Sequence, residues 1–182
     1  QMCIRDRGSV DKICKVLNQV KDEKILNISP LLPLKKDFAF IINSNISAET
    51  LIEEIKKVDI HQAAALKVFM GASTGEMLVD SLDALDDIFH YSPLIVVTHC
   101  EDPKRVKDRE KLFDEKYGDK VSAEHHHLIR DDQSCYLSSS LAVNLAKKYD
   151  ADLHVFHLTT EKEMELFSKG EVDNKKITAE VC

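Results

Sequence analysis

The stretch Pro93–Asp102, PLIVVTHCED, decides the fold that this sequence predicts. Its first part, Pro93–Thr98, is a continuous apolar run, which is typical of a strand buried on both faces of a parallel sheet. A polar cluster that begins with His99 follows at once. Active sites of parallel α/β folds lie at the carboxyl ends of the strands, so this stretch predicts both a buried strand and the place of a site.

Strand and helix patterns alternate on both sides of that stretch. Short apolar runs predict strands at Phe38–Ile42, Ala65–Met70, Pro93–Thr98, Leu153–Leu158 and Lys176–Cys182. Apolar residues at helical spacing predict helices at Val10–Val20, after Ser47, and at Asp80–His90, Pro103–Tyr117, Ser134–Tyr149 and Thr160–Ser168, with an extended segment at Ile25–Leu34. This alternation indicates βαβ units and a parallel sheet, and no G-x-G-x-x-G follows the first strand. We therefore expect an α/β fold with about five βα units of a partial (β/α)8 TIM barrel, whose full form needs roughly 250 residues.

Composition and charge narrow the class of protein. The 182 residues include 25 Lys+Arg and 32 Asp+Glu, for a net charge of −7, and 43% are hydrophobic. An acidic chain without a basic cluster argues against a nucleic-acid partner. No apolar run approaches the roughly 18 residues of a membrane span, so we expect no membrane partner. The first residues given contain no apolar signal core, so we expect a cytoplasmic protein, and the oligomeric state stays unknown.

The two ends differ from those of a complete domain. Residues 1–7, QMCIRDR, have no apolar period, and we expect them to be a cloning or assembly remnant, with one barrel domain over residues 8–182. At the other end, Lys176–Cys182 is a predicted strand with no turn or cap after it. We therefore expect an internal fragment of a longer protein, which stop codons just outside both ends would contradict.

Three residues on successive predicted strands are the main candidates for a site. Lys67 lies inside an apolar strand, where an uncompensated ammonium would lose its hydration. Either its head reaches solvent at the barrel mouth, or it is a buried lysine that is reactive or modified, for example carbamylated into an oxygen ligand for two metal ions. His99 and His157 lie near the ends of their strands, and neutral imidazole binds zinc and similar ions. Each histidine could equally have a structural role.

Other polar residues are weaker candidates. The tract His125–His127 lies beside acidic residues and favours a solvated loop over a metal-binding tract. His154 is expected to face the opposite side of its strand from His157, because side chains alternate. Arg130 could pair with nearby carboxylates or bind an anion. Cys100 could act as a nucleophile with its histidine neighbour, but adjacent strand residues point to opposite faces, which disfavours this role.

Five motifs in unbroken order over residues 8–182 resemble the dihydroorotase family, in the hydantoinase- and allantoinase-related class of the amidohydrolase superfamily. They are ALKVFMGASTGEMLVD around Lys67, LIVVTHCED around His99, IRDDQSCYLSSSLAVNLAKKY, LHVFHLTTEKE around His157, and KITAEVC. The resemblance implies a metal-dependent barrel enzyme with two zinc ions per full-length site. Lys67 corresponds to an N6-carboxylated lysine that bridges both ions, and His99 and His157 correspond to ligands of one ion.

The implied reaction is the reversible hydrolysis of the small-molecule substrate dihydroorotate, a cyclic amide, to N-carbamoyl-aspartate in pyrimidine biosynthesis. The family's H-x-H pair, with its substrate-binding arginine and asparagine, would lie before residue 1, and its catalytic aspartate would lie beyond Cys182. We therefore expect no catalytic residue in the chain beyond the metal ligands, and no activity of the isolated chain. The residues that bind the substrate stay unknown. An allantoinase, a dihydropyrimidinase and a non-catalytic dihydroorotase-like assembly domain are the alternatives.

Overall fold

The computed structural model describes residues 36–39, for which only the backbone is considered, together with residues 47–61, 63–71 and 77–181. All of these residues belong to one compact unit of the chain. The predicted helix Val10–Val20, the extended segment Ile25–Leu34 and residues 1–7 lie outside the described residues. No described helix is both long enough and apolar enough to cross a bilayer.

The described strands form one parallel sheet with the order β1-β2-β3-β4-β5. The strands are β1 Lys36–Ala39, β2 Ala63–Phe69, β3 Val96–His99, β4 Leu153–Leu158 and β5 Ile177–Val181. Neighbouring strands of this sheet follow one another in the sequence, and right-handed crossovers between such strands place all connecting helices on one face of the sheet. In a doubly wound sheet the strand order reverses at one point, and helices cover both faces. The sheet is therefore part of a (β/α)8 barrel, and the predicted fold class is confirmed.

Helices connect these strands, and each of the longer ones begins at a side-chain cap. The helices are α1 Ala48–Lys56, α2 Leu82–Tyr91, α3 Pro103–Tyr117, α4 His126–Ile129, α5 Asp132–Tyr149 and α6 Glu161–Met164. The caps of α1, α2, α3 and α5 are Ser47, Ser81, Asp102 and Asp131, and each accepts a hydrogen bond from a backbone N–H three residues further on. Because the caps fix where these helices begin, the predicted starts agree with the structure to within two residues.

Two predicted elements are shorter in the structure. Strand β3 begins at Val96 and not at Pro93, because the Ser92 hydroxyl donates to Leu94 O at 2.7 Å and accepts from Leu94 N–H at 3.3 Å. These bonds form a turn and occupy backbone groups that a strand would use. The helix predicted at Thr160–Ser168 ends at Met164, after which tighter hydrogen bonds of the i→i−3 type replace helical ones.

The two faces of the sheet differ in character. One face packs against the helices through fully buried apolar side chains, namely Leu66, Val68, Val96, Leu153 and Val155. Because side chains alternate along a strand, the residues between them face the other side, which is the interior of the barrel. The interior face carries Lys67, Phe69, His99, His154 and Phe156, all of them partly buried. The polar candidates of the sequence analysis therefore collect on the interior face.

Candidate functional site

The two strand-end histidines meet at the carboxyl edge of the sheet. His99 is the last residue of β3, and His157 lies near the end of the neighbouring strand β4. His99 Nδ1 and His157 Nε2 are 3.0 Å apart, and the ring centres are 4.8 Å apart. The structure thus brings together two side chains that are separated by 58 positions in the sequence.

His157 reaches His99 through an irregular backbone. Its φ is +44°, and the pairing of β4 with β5 shifts register between Val155 and Leu158. The ring of Phe156 lies 5.4 Å from the ring of His154 and 6.3 Å from that of His157. The expectation that His154 and His157 face opposite sides is therefore wrong, because strict alternation requires a regular strand.

Lys67 lies on the same interior face. Its position pairs with Val97 of β3, which in turn pairs with His154 of β4. The ammonium is buried and lies 3.9 Å from the centre of the Phe156 ring and 5.1 Å from that of Phe69. Aromatic faces attract a cation, by about 2 kcal/mol or more where water is excluded. Of the two readings of Lys67, the buried lysine agrees with the structure, and a head group at the solvent does not.

An ion pair lies behind His99. His99 Nε2 is 2.9 Å from Glu101 Oε2, and Arg130 Nη1 donates to the same oxygen at 2.5 Å. Glu101 is 8% exposed. Burial alone would raise its pKa, but the hydrogen bonds and charges of His99 and Arg130 outweigh burial and hold the pKa below its ordinary value. Arg130 therefore pairs with a carboxylate, which resolves the choice that the sequence left open.

Electrostatics favour a neutral imidazole at His157. Burial is the main cause that lowers its pKa, and the nearby His99 and Lys67 lower it further. A neutral imidazole ring has a lone pair on one nitrogen, and a metal ion binds through that lone pair. The interior site therefore presents a histidine in the state that metal binding needs.

A cavity of about 690 Å³ opens over the two histidines. Its walls include Glu101, Arg130 and Phe156, together with His126 and His127 of α4. The expectation of a loop at this histidine tract is wrong, because the tract forms a 3₁₀ turn at Ala123–His125 that continues into α4. A hydrogen bond from Ser122 N–H to His125 Nδ1 at 3.1 Å closes that turn.

Cys100 is 6% exposed and packs in the apolar core, although it also borders the cavity. Its thiol donates to Thr98 Oγ1 at 3.2 Å, and burial raises its pKa. A buried thiol that favours the protonated form is a poor nucleophile. The structure therefore agrees with the expectation that Cys100 does not form a nucleophilic pair with His99.

The paired histidines fit one metal ion. Two nitrogens that each lie about 2.0–2.1 Å from a tetrahedral zinc ion are separated by about 3.3 Å, so a small movement of the rings would admit the ion. The observed separation between His99 Nδ1 and His157 Nε2 is 3.0 Å, and a carboxylate binds the other nitrogen of His99, as in many zinc sites. Within residues 47–61, 63–71 and 77–181, no group of three or more His, Cys, Asp and Glu side chains could hold a metal. The described residues thus offer part of a ligand set.

Solved structures with this fold include hydantoinases and dihydropyrimidinases. A dihydropyrimidinase from Brevibacillus agri superposes with a TM-score of 0.64 at 18% identity, covering 81% of this chain and 32% of that chain. For the L-hydantoinase (dihydropyrimidinase) from Arthrobacter aurescens the TM-score is 0.61 at 19% identity, with 82% and 33% covered. A D-hydantoinase superposes with a TM-score of 0.56 at 20% identity, covering 74% of this chain and 28% of that chain. No family model and no curated protein matches the chain.

These likenesses establish the fold, which is a partial (β/α)8 barrel. The chain spans about a third of the length of each of these structures. The matching structures are hydantoinases and dihydropyrimidinases, and the class to which the motifs assign the chain stays a prediction. Dihydroorotase itself stays a prediction.

Proposed function

We propose that this chain carries part of the active site of a metal-dependent cyclic amidohydrolase, with Lys67, His99 and His157 as metal ligands. The observation that supports this most is the pair of imidazole nitrogens 3.0 Å apart at the carboxyl ends of two parallel strands. Parallel α/β barrels place their active sites at this edge. The buried Lys67 on the same face is the third ligand, in its N6-carboxylated form.

Zinc, with two ions in the complete site, supplies a Lewis acid that polarises an amide carbonyl and activates water. His99 and His157 each offer one ring nitrogen, and the carboxylated Lys67 offers oxygen. The Phe156 ring contacts the Lys67 head group and also lines the cavity beside the two histidines. These residues bind and position, and proton transfer belongs to residues outside this set.

The substrate is a small cyclic amide, and a cavity of about 690 Å³ lies within the range of small-molecule sites. The sequence motifs favour dihydroorotate, whereas the structural likeness favours dihydropyrimidines or hydantoins equally well. Dihydroorotate carries a carboxylate that the other substrates lack. Arg130 and Arg109 both line the cavity, and their bonds to Glu101 and Leu128 O use only part of the five N–H donors of each guanidinium. A cytoplasmic location belongs to the same proposal.

Metal binding by the 182-residue chain tests the ligand assignment. We expect zinc titration calorimetry to show binding that His99→Ala and His157→Asn each weaken by more than about a hundredfold. Asparagine suits His157 because it tolerates a positive φ, so the fold is retained. His61→Ala is the matched control, because His61 is exposed and lies outside the site. Equal affinities for all four proteins would refute the assignment.

Turnover by the gene product that contains this chain tests the reaction. Dihydroorotate, dihydrouracil, hydantoin and allantoin are assayed in parallel with zinc present. We expect ring opening of dihydroorotate with the highest kcat/KM, and preference for dihydrouracil or hydantoin would favour the dihydropyrimidinase alternative. Zinc binding without turnover of any of the four would favour the non-catalytic domain. Native mass spectrometry of the chain in bicarbonate tests the carboxylation of Lys67. We expect the mass to increase by one CO₂, and we expect Lys67→Met to abolish this increase.

A further inference from the structure

We propose that Glu101, held by Arg130, is a positioning residue that fixes His99 as the tautomer whose Nδ1 lone pair faces His157. The inference deepens the proposed function, on which it rests, because it concerns how a proposed metal ligand is prepared. It starts from the two bonds of one oxygen: Glu101 Oε2 lies 2.9 Å from His99 Nε2 and 2.5 Å from Arg130 Nη1.

The chemistry of this oxygen leaves one arrangement of the ring protons. An ionised carboxylate accepts hydrogen bonds and donates none, so the proton between it and His99 must sit on Nε2. A neutral imidazole has one N–H, so Nδ1 of His99 is then an acceptor. Nδ1 is the nitrogen that lies 3.0 Å from His157 Nε2. The tautomer set by Glu101 is therefore the one that directs a lone pair into the space between the two rings.

The backbone around Glu101 is held from several sides. Met70 N–H donates to His99 O at 2.9 Å, and Asp102 N–H donates to Ser134 O at 2.9 Å. A Cβ added at Gly71 would come within 2.7 Å of both the Cβ and the backbone nitrogen of Glu101. Gly71 therefore packs closely against the main chain of Glu101, while Arg130 and His99 hold its carboxylate. A residue held at both ends can fix the orientation of a neighbouring ring.

The placement of Glu101 also has an energetic cost. A buried carboxylate loses hydration worth several kcal/mol unless charged hydrogen bonds compensate. Arg130 compensates the charge, yet an ion pair of this kind adds little stability compared with apolar packing. Glu163 shows that the chain can bury a carboxylate without involving a histidine, because its partners are the hydroxyls of Ser139 and Thr160. The contact with His99 is therefore what distinguishes Glu101.

Nitrogen-15 NMR of the histidine rings in the metal-free 182-residue chain tests the inference. We expect His99 to be the Nε2–H tautomer in the unmodified chain. In Glu101→Gln an amide can either donate or accept, so we expect a mixture of tautomers. Glu163→Gln is the matched control, because it makes the same chemical change at another buried carboxylate, whose side-chain partners are the hydroxyls of Ser139 and Thr160. It should leave the tautomer unchanged.

Zinc titration of the same three proteins separates this inference from the proposed function. We expect Glu101→Gln to weaken zinc binding about 10- to 100-fold, and Glu163→Gln to leave it within about twofold. An Nδ1–H tautomer in the unmodified chain, or one unchanged in a folded Glu101→Gln, overturns the positioning role. If Glu101→Gln does not fold, the unmodified chain alone decides by its tautomer. If the tautomer depends on Glu101 but the chain binds no zinc, the positioning role stands and the proposed metal site fails.

Discussion

Replacing Gly71 with alanine should disturb the site through one contact. The added Cβ would lie 2.7 Å from the Cβ and the nitrogen of Glu101 and 2.9 Å from its carbonyl oxygen. Ordinary contacts between carbon atoms begin near 3.5 Å, so the backbone of Glu101 must withdraw by about 0.6–0.8 Å. The φ of Gly71 is not in the left-handed range, so alanine can adopt its backbone conformation and the effect is steric.

We expect Gly71→Ala to lower the free energy of unfolding by about 1–3 kcal/mol, the usual cost of overpacking a buried position. Urea denaturation followed by circular dichroism measures this loss. Because Glu101 orients His99, zinc affinity should fall as well, by about 10- to 100-fold.

Gly118→Ala is the control for Gly71→Ala, since a Cβ there meets nothing within 4 Å and the residue lies away from the site. Its φ of +52° makes alanine unfavourable, so this variant should lose stability without losing zinc affinity. Wild-type stability and wild-type zinc affinity in Gly71→Ala would refute the reasoning, because a rigid contact at 2.7 Å cannot accept a methyl group freely.

Three further variants test other contacts of the described residues. Asp131→Ala removes the cap of α5 and should lower the free energy of unfolding by about 1–2 kcal/mol in urea titrations at pH 7. Because a hydrogen-bonded arginine lowers the pKa of Asp131, the stabilisation by this carboxylate is complete above the unfolded pKa near 4 and is lost as the pH falls through the folded pKa. A stability difference between the two proteins that stays constant down to pH 2 would contradict this prediction. Ser139→Ala leaves an oxygen of the buried Glu163 without its hydroxyl donor and should cost about 1–3 kcal/mol, so an unchanged Tm would count against this bond. Without added bicarbonate or zinc, where Lys67 is an ammonium, Phe156→Leu removes a ring from that ammonium and should cost more stability than Phe156→Tyr, which keeps the ring. Equal losses would exclude a cation–π contribution.

The fold could be predicted because burial leaves a clear trace in the sequence. Leu153–Leu158, an apolar run interrupted only by His154 and His157, was predicted as a strand with the bounds that the structure confirms. The charged helix Pro103–Tyr117 was likewise predicted with its observed bounds, because Asp102 and Pro103 mark its start. The start of β3 could not be predicted, since it depends on the Ser92 hydroxyl bonding to the backbone in place of the sheet.

The site could be predicted only in part. His99 was identifiable because it follows a buried run at the edge where parallel barrels place their sites. Glu101 stood in the same polar cluster, but its role depends on Arg130, which lies 29 positions further along the chain. No sequence motif singled out Phe156, and only the structure shows its ring against the Lys67 ammonium. Long-range contacts of this kind leave no local pattern in a single sequence.

The conformation of His157 is the strongest argument that this edge of the sheet serves a function. A left-handed backbone costs a residue other than glycine roughly 1–2 kcal/mol, and the shifted register at the end of β4 gives up regular pairing. Neither feature improves the apolar core, which lies on the helix face of the sheet. What they achieve is to bring the His157 ring to within hydrogen-bond distance of His99, whose other nitrogen already contacts a buried carboxylate. Strain of this size persists where the surrounding structure imposes it, and such positions cluster at active sites and ligand-binding sites. Because local strain and a buried charge both oppose stability and both converge on the same pair of imidazoles, binding by that pair explains them better than packing does.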